Sequence, residues 1–156
     1  MMIRILGVGD TKLSYLKEGE TDFLGRMIHY LPVRSEWVRS PKTGRKMPPD
    51  QIRRKEAKIL SDRIADSAFI VALDASGTRV TSETFSKHLS RWMASGVRET
   101  VFVIGGPLGL DASLLMRSNW ILSLSDMTFT HDMTRLILLE QIYRALTLLR
   151  GEKYHK

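Results

Sequence analysis

The chain has 156 residues, 43% of them hydrophobic, which fits one ordinary domain with a core of its own. Its 24 Lys and Arg against 17 Asp and Glu give a net charge of +7, and the absence of cysteine excludes disulfides, thiolate nucleophiles and Cys-ligated zinc. No stretch approaches the roughly 20 apolar residues that span a bilayer. The expectation is a soluble, cytoplasmic protein without membrane attachment, a single domain over residues 1–156, whose charge favours a polyanionic partner such as nucleic acid.

Met2 to Val8 is an apolar run ending at Gly9, which fits a buried first strand. A helix follows from about Lys12, with Leu13, Leu16, Phe23, Leu24, Met27 and Ile28 at near-helical spacing and Pro32 beyond its end. Val33 to Arg39 reads as a second, more exposed strand, and Pro41 to Pro49 as a loop rich in breakers and positive charge. Asp50 is the expected N-cap of a second helix reaching about Ala65, whose outer side carries Arg53, Arg54, Lys55, Lys58 and Arg63. That face is either simply solvated or a phosphate-tracking patch.

Ala68 to Leu73 is the third strand, stopping at Asp74-Ala75-Ser76-Gly77. Thr81 or Ser82 starts a third helix through Ser95, and Gly96 stops it. Thr100 to Ile104 is the fourth strand and Asp111 caps a short helix ending near Asn119. Trp120 to Leu124 makes a fifth strand, and Asp132 to Arg150 the last helix, closed by Gly151. That helix is apolar on almost every side, so it is expected to be buried all round, with a subunit interface as the natural cover.

Continuously apolar strands alternating with helices predict an α/β fold with a mostly parallel sheet covered on both faces. Ligands in such sheets sit beyond the carboxyl ends of the strands, which singles out the turns after Leu73, Ile104 and Leu124. The Gly105-Gly106-Pro107-Leu108-Gly109 turn matches neither a P-loop nor the dinucleotide fingerprint, and is either a cofactor turn or a tight structural one. Four histidines without paired spacing give no metal site, and no Gly-x-Ser-x-Gly elbow supports a serine hydrolase. Glu140 and Arg144, four apart, form either a helix-stabilising pair or part of a site.

Ile104-Gly105-Gly106-Pro107 with Gly109, Ser118-Asn119-Trp120, Leu122 to Ser125, Met127-Thr128-Phe129, His131, Arg135, Glu140 to Ala145 and the ending Tyr154-His155-Lys156 together resemble one family. It is the ribosomal RNA large subunit methyltransferase H family of the SPOUT superfamily. The opening Ile5 to Gly9 and Leu73-Asp74 through Gly77 extend the similarity over the whole chain, while Leu108 stands where the family's usual glutamate follows Gly-Gly-Pro.

The resemblance implies a SPOUT-type C-terminal trefoil knot, a homodimer and S-adenosyl-L-methionine as cofactor. Carried over by position, Leu73, Gly105 and Leu124, Ser125, Asp126, Met127, Thr128 and Phe129 would line the cofactor pocket. The implied substrate is N3 of pseudouridine 1915 in the helix 69 loop of 23S rRNA, met in the assembled ribosome. In that setting His155 is the expected proton acceptor, Tyr154 shapes the base pocket, and Arg135 or Arg144 stabilises charge on the uracil ring with Glu140 orienting the arginine. The rival readings are a catalytically dead ribosome-binding or assembly factor, and a SPOUT enzyme acting on another RNA such as a tRNA.

Overall fold

The computed structural model describes residues 1–42 and 47–152. Among the described residues ten elements alternate: β1 (Met2–Val8), α1 (Ser14–Met27), β2 (Val33–Val38), α2 (Pro49–Ser61), β3 (Phe69–Arg79), α3 (Ser82–Ala94), β4 (Glu99–Ile104), α4 (Ala112–Arg117), β5 (Trp120–Ser123) and α5 (His131–Leu149). The strands form one sheet in the order β2-β1-β4-β3-β5, and every pairing is parallel. The α/β expectation is therefore met.

Because strand side chains alternate between faces, each apolar strand feeds two cores. Ile3, Ile5, Val71, Leu73, Phe102, Ile104 and Leu122 point to the side covered by α1, α3 and α5, where they meet Met27, Leu89, Leu138 and Ile142. Leu6, Val8, Ile70, Ala72, Val101 and Val103 point to the other side, against Ala57 and Leu60 of α2 and Leu114 of α4. The exposed strand expected at residues 33–39 is the sheet edge β2.

Three local expectations change. Helix α2 begins one residue earlier than Asp50, with Pro48 as cap and Pro49 in the first turn, where the missing N–H costs nothing because that donor has no partner inside the helix. Asp50 instead sits within the first turn and pairs with Arg53, and the helix ends at Ser61 rather than Ala65. Strand β3 does not stop at Leu73. Both Leu73 and Thr78 oppose Leu122, so residues 74–77 loop out over the carboxyl end of the sheet before pairing resumes. Finally, α5 is not buried all round within one chain: it is wedged between α1 and α3, but Leu136, Ile137 and Leu148 are half-buried and Leu149 is exposed.

Candidate active site

The loop after β5 and the excursion of β3 meet at the carboxyl edge of the sheet. Leu73, Asp74 and Ala75 supply one wall of a cleft of about 140 Å³, and Leu122 to Ser125, Met127, Thr128 and Phe129 the other, with Thr134 of α5 at the base. The loop holds its own shape: Ser123 Oγ donates to the Ser125 carbonyl at 3.0 Å, and Ser125 Oγ accepts from the Met127 amide at 2.9 Å. Asp74 folds the opposite wall by accepting from both the amide and the hydroxyl of Ser76, at 2.9 and 2.6 Å, an Asx turn. Thr130 then caps α5, its hydroxyl accepting from the Met133 amide.

A second cavity of about 240 Å³ shares Leu122, Ser123 and Leu124 as its wall and reaches Phe85, Leu138 and Gln141. Met127, 74% exposed, and Phe129 stand at the rim of the first cleft. An apolar cleft with such rim groups and a few ordered polar atoms suits a small amphipathic ligand.

Of the residues proposed from sequence for the cofactor, Leu73, Leu124, Ser125, Met127, Thr128 and Phe129 come together in this cleft. Asp126 and Gly105 are not part of its wall. Asp126 turns outward and pairs with Arg79. Gly105 follows Ile104, whose register partner is Leu73, so its turn lies beside the cleft. The turn closes on itself: Gly109 donates to the Gly106 carbonyl at 3.0 Å, with Gly109 at φ 78°. A Cβ on Gly105 would fall 2.7 Å from the Gly109 carbonyl carbon, so glycine is needed here by the turn's own backbone. Asp74, Ala75, Leu122, Ser123 and Thr134 were not assigned to the cofactor from sequence; the Leu73 turn signal pointed at the first two without showing that the chain loops out there and returns.

The residues proposed for chemistry lie along α5 and beyond it. Arg135 is fully buried, and its guanidinium donates to the carbonyls of Val8 and Gly9 and to Thr11 Oγ1. The uracil-ring role expected of Arg135 thus falls on a guanidinium that is 0% exposed in the single chain and bonded to β1. Glu140 and Arg144 form the expected pair four apart on a half-buried face, with Arg144 Nε 3.0 Å from Glu140 Oε1. His131 Nε2 lies 3.1 Å from Asp132 Oδ1. Tyr154 and His155 lie outside the described residues, as do positions 43–46 of the basic loop.

On α2, Arg53 pairs with Asp50, Lys58 with Asp62 and, just beyond the helix, Arg63 with Glu36. Arg54 and Lys55 are exposed and make no ion pair among the described residues. No group of three His, Asp or Glu poised for a metal occurs among the described residues, and no helix there is long and apolar enough to cross a membrane.

An all-parallel sheet with helices on both faces and a cleft made by loops at its carboxyl edge defines a ligand-binding α/β protein. The chain belongs to the SPOUT methyltransferase family, whose description, "Predicted SPOUT methyltransferase", matches residues 1–155. It is 42% identical over 157 aligned residues to a protein of Desulfotalea psychrophila named ribosomal RNA large subunit methyltransferase H, with both chains covered in full. Proteins of the same name from Cytophaga hutchinsonii and Syntrophotalea carbinolica are 39% and 41% identical over 155 residues, 99% of each chain. Among solved structures, a probable methylase family protein from Haemophilus influenzae shares the fold with a TM-score of 0.58 at 13% identity, covering 99% of this chain and 70% of that one.

Proposed function

We propose that the protein is a cytoplasmic, homodimeric methyltransferase that uses S-adenosyl-L-methionine to methylate N3 of pseudouridine 1915 in helix 69 of 23S rRNA, with the assembled ribosome as substrate. The observation that carries this reading is the full-length similarity to proteins named for large-subunit rRNA methylation, joined to a cleft that gathers Leu73, Leu124, Ser125 and Met127 to Phe129. The donor set fits the cofactor: apolar walls suit an adenine and a thioether chain, and the turned loop offers short polar side chains and backbone groups for the polar ends. Gly105 would bound the site through its turn, and Asp126 would hold the loop from outside through Arg79. The trefoil knot of the SPOUT fold belongs to the same reading.

S-adenosyl-L-methionine brings a methyl group already activated on a sulfonium, which leaves alignment and proton removal to the protein. Pseudouridine N3 carries a proton at neutral pH. His155, with an ordinary pKa of roughly 6.5, would accept it, while Tyr154 shapes the base pocket. Arg144, oriented by Glu140, would face the charge developing on the uracil ring. Arg135 serves instead by fixing the start of α5 to the end of β1.

A second subunit is part of the reading because of reach. Thr134 lines the cleft, and the helix from Thr134 to Leu149 extends about 22 Å at 1.5 Å per residue. Glu152 is tied back to the helix end, its amide donating to the Thr147 carbonyl at 3.0 Å. From there the chain to His155 covers at most about 11 Å. In this reading His155 would serve the cleft of the other subunit. The deciding experiment maps rRNA by mass from cells lacking the protein and then treats those ribosomes with protein and labelled cofactor. Loss and restoration of N3-methylpseudouridine in helix 69 is the expected result; cofactor binding without rRNA methylation would overturn it.

A further inference from the structure

Beneath the Gly105–Gly109 turn lies a carboxyl group that no part of the proposed chemistry uses. Glu56, on α2, is only 5% exposed. It makes no ion pair among the described residues, and its Oε2 has no hydrogen-bond partner. What it does have is the turn: the Gly106 backbone lies against the Glu56 carboxylate and favours its charged form. A Cβ built on Gly106 would lie 3.0 Å from both carboxylate oxygens, so the turn rests directly on this group. Burial pushes the Glu56 carboxyl above its usual range, as expected of an acid without a cation beside it.

The location gives the contact its consequence. The turn begins straight after Ile104, the register partner of Leu73, and Leu73 is in the cleft wall. Pro107 in the turn has no N–H, and Gly109 is already bonded to Gly106, which makes the Gly106 amide, next to the Glu56 carboxylate, a donor able to tie the turn to α2. We propose that Glu56 is a positioning residue for cofactor binding: as a buried acceptor for the Gly106 amide it holds the Gly105–Gly109 turn in place beside Leu73, without touching the cofactor itself. The role needs an acceptor atom and a side chain of this size, and it does not need a charge.

This inference rests on the cofactor reading above, and its test separates the two. S-adenosyl-L-methionine affinity is measured by calorimetry for the full-length protein and for Glu56→Gln and Glu56→Leu, alongside the melting temperature of each without cofactor. Glutamine keeps the acceptor and leucine keeps only the volume. The expected result is affinity within about twofold of the parent for Glu56→Gln and about tenfold weaker for Glu56→Leu, since a buried N–H is then left unpaired. Parent-like affinity in Glu56→Leu would overturn the proposal, and so would equal weakening in Glu56→Gln, because the charge would then be what matters.

Amide exchange at Gly106 and Gly109 in the unliganded proteins supplies the second readout. It should be fast in Glu56→Leu and slow in the parent and Glu56→Gln. Should the parent fail to bind S-adenosyl-L-methionine, the proposed function falls, and the exchange rates alone decide the role of Glu56: equal rates in all three proteins would overturn it.

Discussion

The guanidinium of Arg135 lies over the ring of Trp37, 4.1 Å from its centroid, and joins the start of α5 to the end of β1. The ring has room because residue 7 is glycine: a Cβ there would fall 2.9 Å from Trp37 Cζ3. Arg135 also donates to the Val8 carbonyl at 2.7 Å, the Gly9 carbonyl at 2.8 Å and Thr11 Oγ1 at 2.9 Å, with Asp132 Oδ1 at 3.3 Å. Removing it strands a buried carboxylate and two carbonyls. Arg135→Met should therefore cost roughly 3–5 kcal/mol in urea unfolding. Arg135→Lys should recover only part, because an ammonium lacks the planar fork. A loss of about 0.5 kcal/mol, the ordinary surface value, would show that the cluster does not hold these elements together.

For the Gly105 turn, the clash of an added Cβ with Gly109 backbone at 2.7–2.8 Å changes what a substitution should do. Gly105→Val is expected to weaken S-adenosyl-L-methionine binding at least about tenfold and also to lower Tm, by about 2–4 °C per kcal/mol lost in a chain of this length. Unchanged affinity with an unchanged Tm would mean the turn moves aside freely and takes no part in the cleft.

The charge pattern on α2 sharpens the RNA prediction. Arg54 and Lys55 are exposed without an ion pair among the described residues, whereas Arg53 and Lys58 are matched by Asp50 and Asp62. Replacing Arg54 and Lys55 with alanine should weaken ribosome binding and reduce the slope of log affinity against log salt by roughly 1.5, leaving cofactor affinity alone. A variant with the parent's slope would assign these residues to plain solvation.

Deletion of residues 153–156 should abolish methylation and spare cofactor binding. Glu152 remains in this variant, so its bond to Thr147 and the contact with Tyr30 are kept. Mixed with Gly105→Val subunits, the deleted protein should regain part of the activity, because one site of the heterodimer pairs an intact cleft with an intact tail. Absence of recovery despite proven subunit exchange would assign the tail to its own protomer.

Glu20 provides a pH prediction. It is buried against Thr11, whose hydroxyl donates to it at 2.6 Å, and burial pushes its carboxyl above the ordinary value of 4.5 despite the nearby Arg135. An acid raised in the folded state favours folding below its unfolded pKa, and that contribution disappears as pH rises through the folded value. Glu20→Gln should consequently flatten the part of the fall in stability that sets in above pH 4.5. Urea midpoints across that range read it out; an identical profile in the variant would remove Glu20 as the source.

Much of this protein was legible in its residues. Apolar runs such as Val101 to Ile104 could only be strands buried on both faces, since each side of the pleat needs cover, and their alternation with amphipathic segments dictated a parallel sheet. Local signals set ends well where the deciding contact is itself local: Thr81 and Asp111 cap α3 and α4 through bonds two or three residues away, and Gly96 and Gly151 follow helix ends at φ 79° and 68°. They failed at α2, where Pro48 and Pro49 outrank Asp50, because a proline fixes the backbone before a side chain can cap it.

Only tertiary structure decided the fates of the charged residues. Arg135 and Arg144 look alike in sequence, nine positions apart on one helix, yet the first is sealed beneath β1 and Trp37 and the second lies on a half-buried face with Glu140. Glu56 was one more member of a charged helix until the fold set it under Gly106. The return of β3 after residue 77, which builds the wall with Asp74 and Ala75, depends on pairing with β5 more than 40 residues later in the chain. Such outcomes follow from long-range packing, which composition and periodicity do not encode, because they depend on which faces meet rather than on which residues are neighbours in the chain.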